Sequence, residues 1–141
     1  SSKGGKEKER LMKTRVNQSR FRKIVLATYN NRCCITGLAQ PELLIASHIV
    51  PWSKNESIRL NPMNGLCLNA LHDKAFDSGL ITIRPDDYTV LLSDAKKKKK
   101  MINPAIETYF IAYENKKIIL PDKFLPDPAY LDYHFTNIFR R

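Results

Sequence analysis

One stretch, residues 47–79, reading SHIVPWSKNESIRLNPMNGLCLNALHDKAFDSG, constrains this chain more than any other. It holds two of the three histidines, His48 and His72, the single tryptophan, Trp52, and an Asn64-Gly65 pair. The apolar run ending near His48 reads as a strand, and Pro51 and Pro62 bracket a polar loop, KNESIRLN. Gly65 to Leu68 reads as a second short strand. Asn69 can then cap a helix that runs through Leu71, Ala75 and Phe76 to a stop at Gly79. Such a strand–loop–strand–helix unit puts Asp73 and Asp77, at i and i+4, on one helical face.

The side chains of this unit carry chemistry. His48 supplies a candidate general base, Asn64 a polar orienter, and Asp73 with Asp77 hard oxygen ligands. A cation such as Mg²⁺ keeps some of its waters, so two carboxylates and one further ligand suffice. Those are the parts of a metal-dependent phosphodiesterase. Each also has a plainer reading. A lone histidine on an apolar strand is usually packed, Asn before Gly is usually a turn residue, and Asp77 in Phe-Asp-Ser-Gly can cap a turn. Trp52 reads as packing beneath the loop, and Cys67, between Leu66 and Leu68, as buried and inert.

Composition narrows the partners. The net charge is +10, and residues 1–32 carry ten Lys or Arg against two Glu. A field of that sign favours polyanions, most simply nucleic acid, although a solvated basic tail has the same composition. The basic segment lacks a broad apolar face, and no run approaches the ~20 apolar residues of a membrane span, so no membrane role is expected. Three cysteines, two of them adjacent, argue against a disulfide framework and for a reducing, cytoplasmic setting. No C-x-x-C pair suggests a zinc knuckle.

The remaining 141-residue frame reads as one α+β domain without internal repeats. Residues 1–14 read as a linker or expression remnant. A helix is expected from about Asn17, capped by Asn17 or Ser19, with Phe21, Ile24, Val25 and Tyr29 inward and a stop at Asn30-Asn31. The apolar piece ended by Gly37 and the run 43–50 form a hairpin or a strand and loop. Residues 81–84 and 88–92 flank Pro85-Asp86-Asp87 as a second hairpin. Lysines 96–100 read as a solvated loop, with contact to a phosphate backbone as the lesser reading. Residues 109–113 and 117–120 alternate enough to suggest more strand, and Pro121, Pro126 and Pro128 precede a helix over 130–139.

The strings SHIVPW and RLNPMNGLCLNALHDKAFDSGLITI resemble the HNH endonuclease signature, in the branch found in predicted bacterial restriction endonucleases. RVNQSRFRKIVL and CCITG look like the same branch, so the resemblance covers roughly residues 15–95. It implies a ββα-metal finger with its core at about 43–79, inside a nuclease domain over 15–141 that adds an N-terminal helix and a C-terminal hairpin and helix. By this resemblance His48 is the base that activates water, and Asn64 holds the finger loop and through it His48. Asp73 falls on the helical ligand position, usually histidine or asparagine, and Asp77 matches a second helical ligand of the colicin-type nucleases.

Two positions depart from that pattern. Many members carry Asp or His immediately before the base, where this chain has Ser47, a weak third ligand. His72 lies beside Asp73, and a helix turns ~100° per residue, so the two do not share one facing; His72 is left as a substitute ligand or a DNA contact. The implied activity is that of a DNA endonuclease using a divalent metal ion, Mg²⁺ first and Mn²⁺ or another transition metal next. The implied setting is the nuclease module of a restriction system, acting on double-stranded DNA, with a recognition domain attached upstream. Arg59 would clamp a phosphate oxygen, and Arg20, Arg22 and Lys23 would hold the backbone. The alternative is a nucleic-acid-binding module that keeps the finger but has lost cleavage, with Ser47 as the symptom.

Overall fold

Strong helix formers decide the start of the chain. Lys6 to Lys13 are all charged, Leu or Met, and they carry helix straight through Gly4-Gly5, so α1 spans Ser2–Thr28 where a linker was expected over residues 1–14. The computed structural model describes residues 2–51, 55–94 and 103–141; Trp52 and the lysine run at 96–100 lie outside them. The helix stops where expected, at Asn30 and Asn31, both with positive φ (55° and 54°), a conformation asparagine tolerates. Phe21, Val25 and Tyr29 are buried as expected, but Leu26 completes the inward face and Ile24 stays outside.

The segment CCITG forms turns rather than a strand, with Gly37 N–H donating to Cys33 O at 2.8 Å and Cys34 N–H to Cys67 O at 2.9 Å. Among the described residues, the strands near His48 are β1 (Leu44–His48) and β2 (Gly65–Asn69), antiparallel, with Leu44 opposite Asn69 and His48 opposite Gly65. Between them the polar loop contains one helical turn, α2 (Glu56–Arg59), capped by the Asn55 side chain. Asn69 caps α3 (Ala70–Asp77), its side chain accepting from His72 N–H at 2.9 Å. α3 packs across β1 and β2 and completes a ββα finger.

A second hairpin, β3 (Ile81–Ile83) with β4 (Val90–Leu92), pairs Ile81 with Leu92 and Ile83 with Val90. The strand expected over 109–113 is absent. Asn103 caps α4 (Pro104–Tyr109), proline takes the first turn, and a 3₁₀ turn (Ile111–Tyr113) follows. Of the strand expected at 117–120, only a single bridge from Lys117 to Thr89 forms. The chain closes with α5 (Pro128–Asn137), which buries Leu131 and His134 against the second hairpin and α3. One core joins Phe21 and Val25 of α1 to the finger and the second hairpin. Cys33, Cys34 and Cys67 are buried free thiols, and burial pushes Cys67 up to about 12, so it is not reactive at neutral pH. No described helix is long and apolar enough to cross a membrane.

Candidate active site

β1 delivers His48 at its last position, and Arg59 and Phe21 hold the imidazole. Nε2–H donates to the carbonyl of Arg59 at 3.1 Å, at the end of α2. A carbonyl only accepts, so the neutral ring carries its hydrogen on Nε2 and its lone pair on Nδ1. Phe21 of α1 lies flat on the ring, centroids 4.2 Å apart and planes 5° apart. Burial pushes the His48 pKa below its ordinary value, and the Arg59 guanidinium acts in the same direction, against the Arg59 carbonyl and Asp73. The imidazole is therefore neutral at pH 7.

The two residues after His48 are held by Asn64, which is fully buried. Its Oδ1 accepts from Val50 N–H at 2.8 Å, its Nδ2 donates to Val50 O at 3.2 Å, and its own carbonyl accepts from Ile49 N–H at 2.9 Å. The direction in which the chain leaves His48 is thus set by one side chain across the loop.

Ser47 is buried, and its hydroxyl donates to Asp73 Oδ1. Ser47, His48, Asp73 and Asp77 line one cleft of about 440 Å³, closed on another side by His134 and Ile138. Partial burial and the neighbouring Asp73 carboxylate push Asp77 up to about 6. Two carboxylates that resist sharing a cleft as anions fit a positive charge between them. Among the described residues no three His, Cys, Asp or Glu side chains gather into a metal-ligating group. The oxygen set is therefore partial, which suits a hard cation that keeps its waters better than a metal demanding nitrogen or sulfur.

His72 is not in this cleft. It is 2% exposed, with Nε2–H donating to Tyr109 O at 2.7 Å, Nδ1 lying 3.0 Å from Asn69 Oδ1, and its ring against Phe110. One helical step from Asp73 turns it ~100° around α3, away from the cleft, where it fastens α4. The structure thus does not bring it together with Asp73 and Asp77, where a substitute ligand or a DNA contact was expected. The Arg22 guanidinium donates to the carbonyls of Leu44 and Pro41 and anchors α1 on the start of β1. Arg20 and Lys23 are exposed, and Arg59 is half-buried beside His48.

Two neighbours of the cleft carried no expectation from sequence. The stacking of Phe21 on His48 has no local signal, since the two residues are far apart in the chain. His134 could have been placed from its i, i+3 spacing after Leu131, which marks an inward helical face. Its Nδ1 accepts from the Thr82 hydroxyl at 2.8 Å, its Nε2–H donates to Phe76 O at 2.9 Å, and burial lowers its pKa to about 4.

The HNH endonuclease family model matches residues 33–84, a segment that contains all of β1, β2 and α3. No curated protein matches the chain. Among solved structures, the chain is similar to a modification-dependent TagI restriction endonuclease, at a TM-score of 0.53 and 18% identity. The alignment covers 83% of this chain and 36% of that one, so the chain spans about a third of that protein's length. At this identity the likeness is one of fold. The ββα finger lies wholly inside the matched residues, so it is this segment, 33–84, that carries the chain's similarity to the HNH endonuclease family.

Proposed function

We propose that the domain hydrolyses phosphodiester bonds in double-stranded DNA, with His48 as the general base, in the setting of a restriction system. One observation carries this reading: a neutral histidine with its tautomer set shares a cleft with two carboxylates. His48 Nδ1 takes the proton of the attacking water, and Asn64 keeps the ring aimed by holding residues 49–50. The Arg59 guanidinium, close enough to depress the His48 pKa, meets a non-bridging phosphate oxygen. Ser47 occupies one Asp73 oxygen and leaves the other available, an orienting role rather than a ligand's. Arg20 and Lys23 hold the DNA backbone.

Nucleases of this family generally use a divalent metal ion. Bound by Asp73 and Asp77, with water completing its shell and Mg²⁺ the first choice, it would polarise the scissile phosphate and stabilise the leaving 3′-oxygen. The partial ligand set favours a second reading, a finger that binds DNA without cutting it. Incubating the domain with supercoiled plasmid and Mg²⁺ or Mn²⁺ separates the two. Nicked or linear product from wild type and none from His48→Ala supports the nuclease; intact plasmid at saturating metal overturns it.

A further inference from the structure

α1 is far longer than its packing requires. No residue from Lys3 to Arg20 is buried, and the first buried side chain is Phe21. At 1.5 Å per residue, residues 2–20 extend the helix by about 27 Å along its axis. With no buried side chain among these described residues, the core contributes little to this half, which rests largely on propensity or on a partner.

Its charges are arranged. Lys3, Lys6, Arg10, Lys13 and Arg20 follow one another at steps of three, four, three and seven. At ~100° per residue all five fall within an arc of about 100° on one side of the helix, and Glu7 and Glu9 fall outside it. Like charges three and four residues apart repel one another, so the stripe works against the isolated helix. Phe21, whose ring lies on His48, sits at one edge of the same arc, while Arg22, anchored at Leu44 and Pro41, projects elsewhere. The stripe therefore runs on the side of α1 that meets the base.

We propose that this half of α1 is an arm laid along the DNA backbone beyond the cleft, with Lys3, Lys6, Arg10, Lys13 and Arg20 facing phosphates. The inference rests on the nuclease reading and extends it: from Lys3 to Arg20 the stripe matches about 8 base pairs of duplex at 3.4 Å each. A second copy of the chain would bring a like-charged stripe against this one. Leu11, Met12 and Val16, the exposed apolar side chains here, lie off the stripe and are too few to anchor a membrane surface.

Two variants of equal charge test the arm in the full 141-residue chain. Arg10→Gln/Lys13→Gln removes two charges from the stripe, and Lys8→Gln/Arg15→Gln removes two from the rest of the helix. All four side chains are exposed, so neither pair disturbs packing. Binding to a labelled 24-base-pair duplex is measured by anisotropy against salt concentration, with EDTA present to prevent cleavage. The stripe pair is expected to reduce the slope of log affinity against log salt by about 2, and the other pair by less than about 0.5, since each lost phosphate contact removes ~0.9. Equal slopes for the two pairs overturn the arm, as does absence of duplex binding or a preference for phosphatidylserine vesicles. Plasmid cleavage in a parallel assay separates the two ideas: slopes as expected with intact plasmid sink the nuclease reading alone, and cleavage with equal slopes sinks the arm alone.

Discussion

Phe21 and His48 lie face to face, one on the N-terminal helix and the other at the end of the finger's first strand, 4.2 Å between centroids. Their approach depends on Gly65, paired with His48 across the hairpin. A Cβ at position 65 would fall 2.5 Å from Val25 Cγ2 and 3.0 Å from Phe21 Cζ. The distance between helix and hairpin is thus set by a missing side chain, and Tyr29 OH bonding to Gly65 O at 3.3 Å holds it there.

Gly65→Ala should therefore lift α1 from the hairpin. Overpacking of this kind costs about 1–3 kcal/mol, read as a lower urea midpoint. Plasmid cleavage should fall as well, because the ring that Phe21 supports is the proposed base. A variant with unchanged midpoint and rate would show that the helix is free to shift.

Asn64→Ala strands the buried N–H and C=O of Val50 together. Each orphaned group costs about 1–3 kcal/mol, so a loss of several kcal/mol is expected, with cleavage reduced even where the variant remains folded. Asn64→Asp, which keeps the acceptor for Val50 N–H but not the donor, should fall between the two. Circular dichroism during urea titration checks the order.

Asp73→Ala should weaken Mn²⁺ binding by calorimetry far more than His72→Ala does. His72→Ala should instead lower the unfolding midpoint, because α4 loses its tie to α3. Equal Mn²⁺ affinity in wild type and Asp73→Ala would remove Asp73 from the metal site.

Stability should fall on acidification through His134. Its pKa, about 4 when folded, lies below the ordinary histidine value of 6.5, so between those limits the unfolded chain binds a proton that the folded chain refuses. Its contribution is complete above pH 6.5 and is lost as pH drops toward 4, by at most about 1.4 kcal/mol per unit. In His134→Gln that loss is absent, so the stability gap between wild type and variant should narrow from pH 7 to pH 4.5. A constant gap would mean that His134 does not titrate.

Where structure rests on neighbours in the chain, it was legible. The second hairpin is set by alternation around Pro85-Asp86-Asp87, the start of α3 by Asn69, and the end of α1 by Asn30-Asn31, each a signal confined to a few residues. The finger's order of strand, loop, strand and helix was legible for the same reason. Failures came where several local structures were affordable and packing chose among them. Residues 109–113 alternate like a strand, but a buried Phe110 and the Asn103-Pro104 cap made them helical turns.

The candidate site divides in the same way. Spacing put Asp73 and Asp77 on one helical face, and the covalent geometry of a helix requires that in any fold. That His72 would be buried against Tyr109, that Ser47 would bond Asp73, and that Phe21 would cover His48 all depend on pairs separated by 26 to 37 residues. No local preference encodes such a meeting. It is decided when apolar surfaces close on one another, and only the tertiary structure records the result.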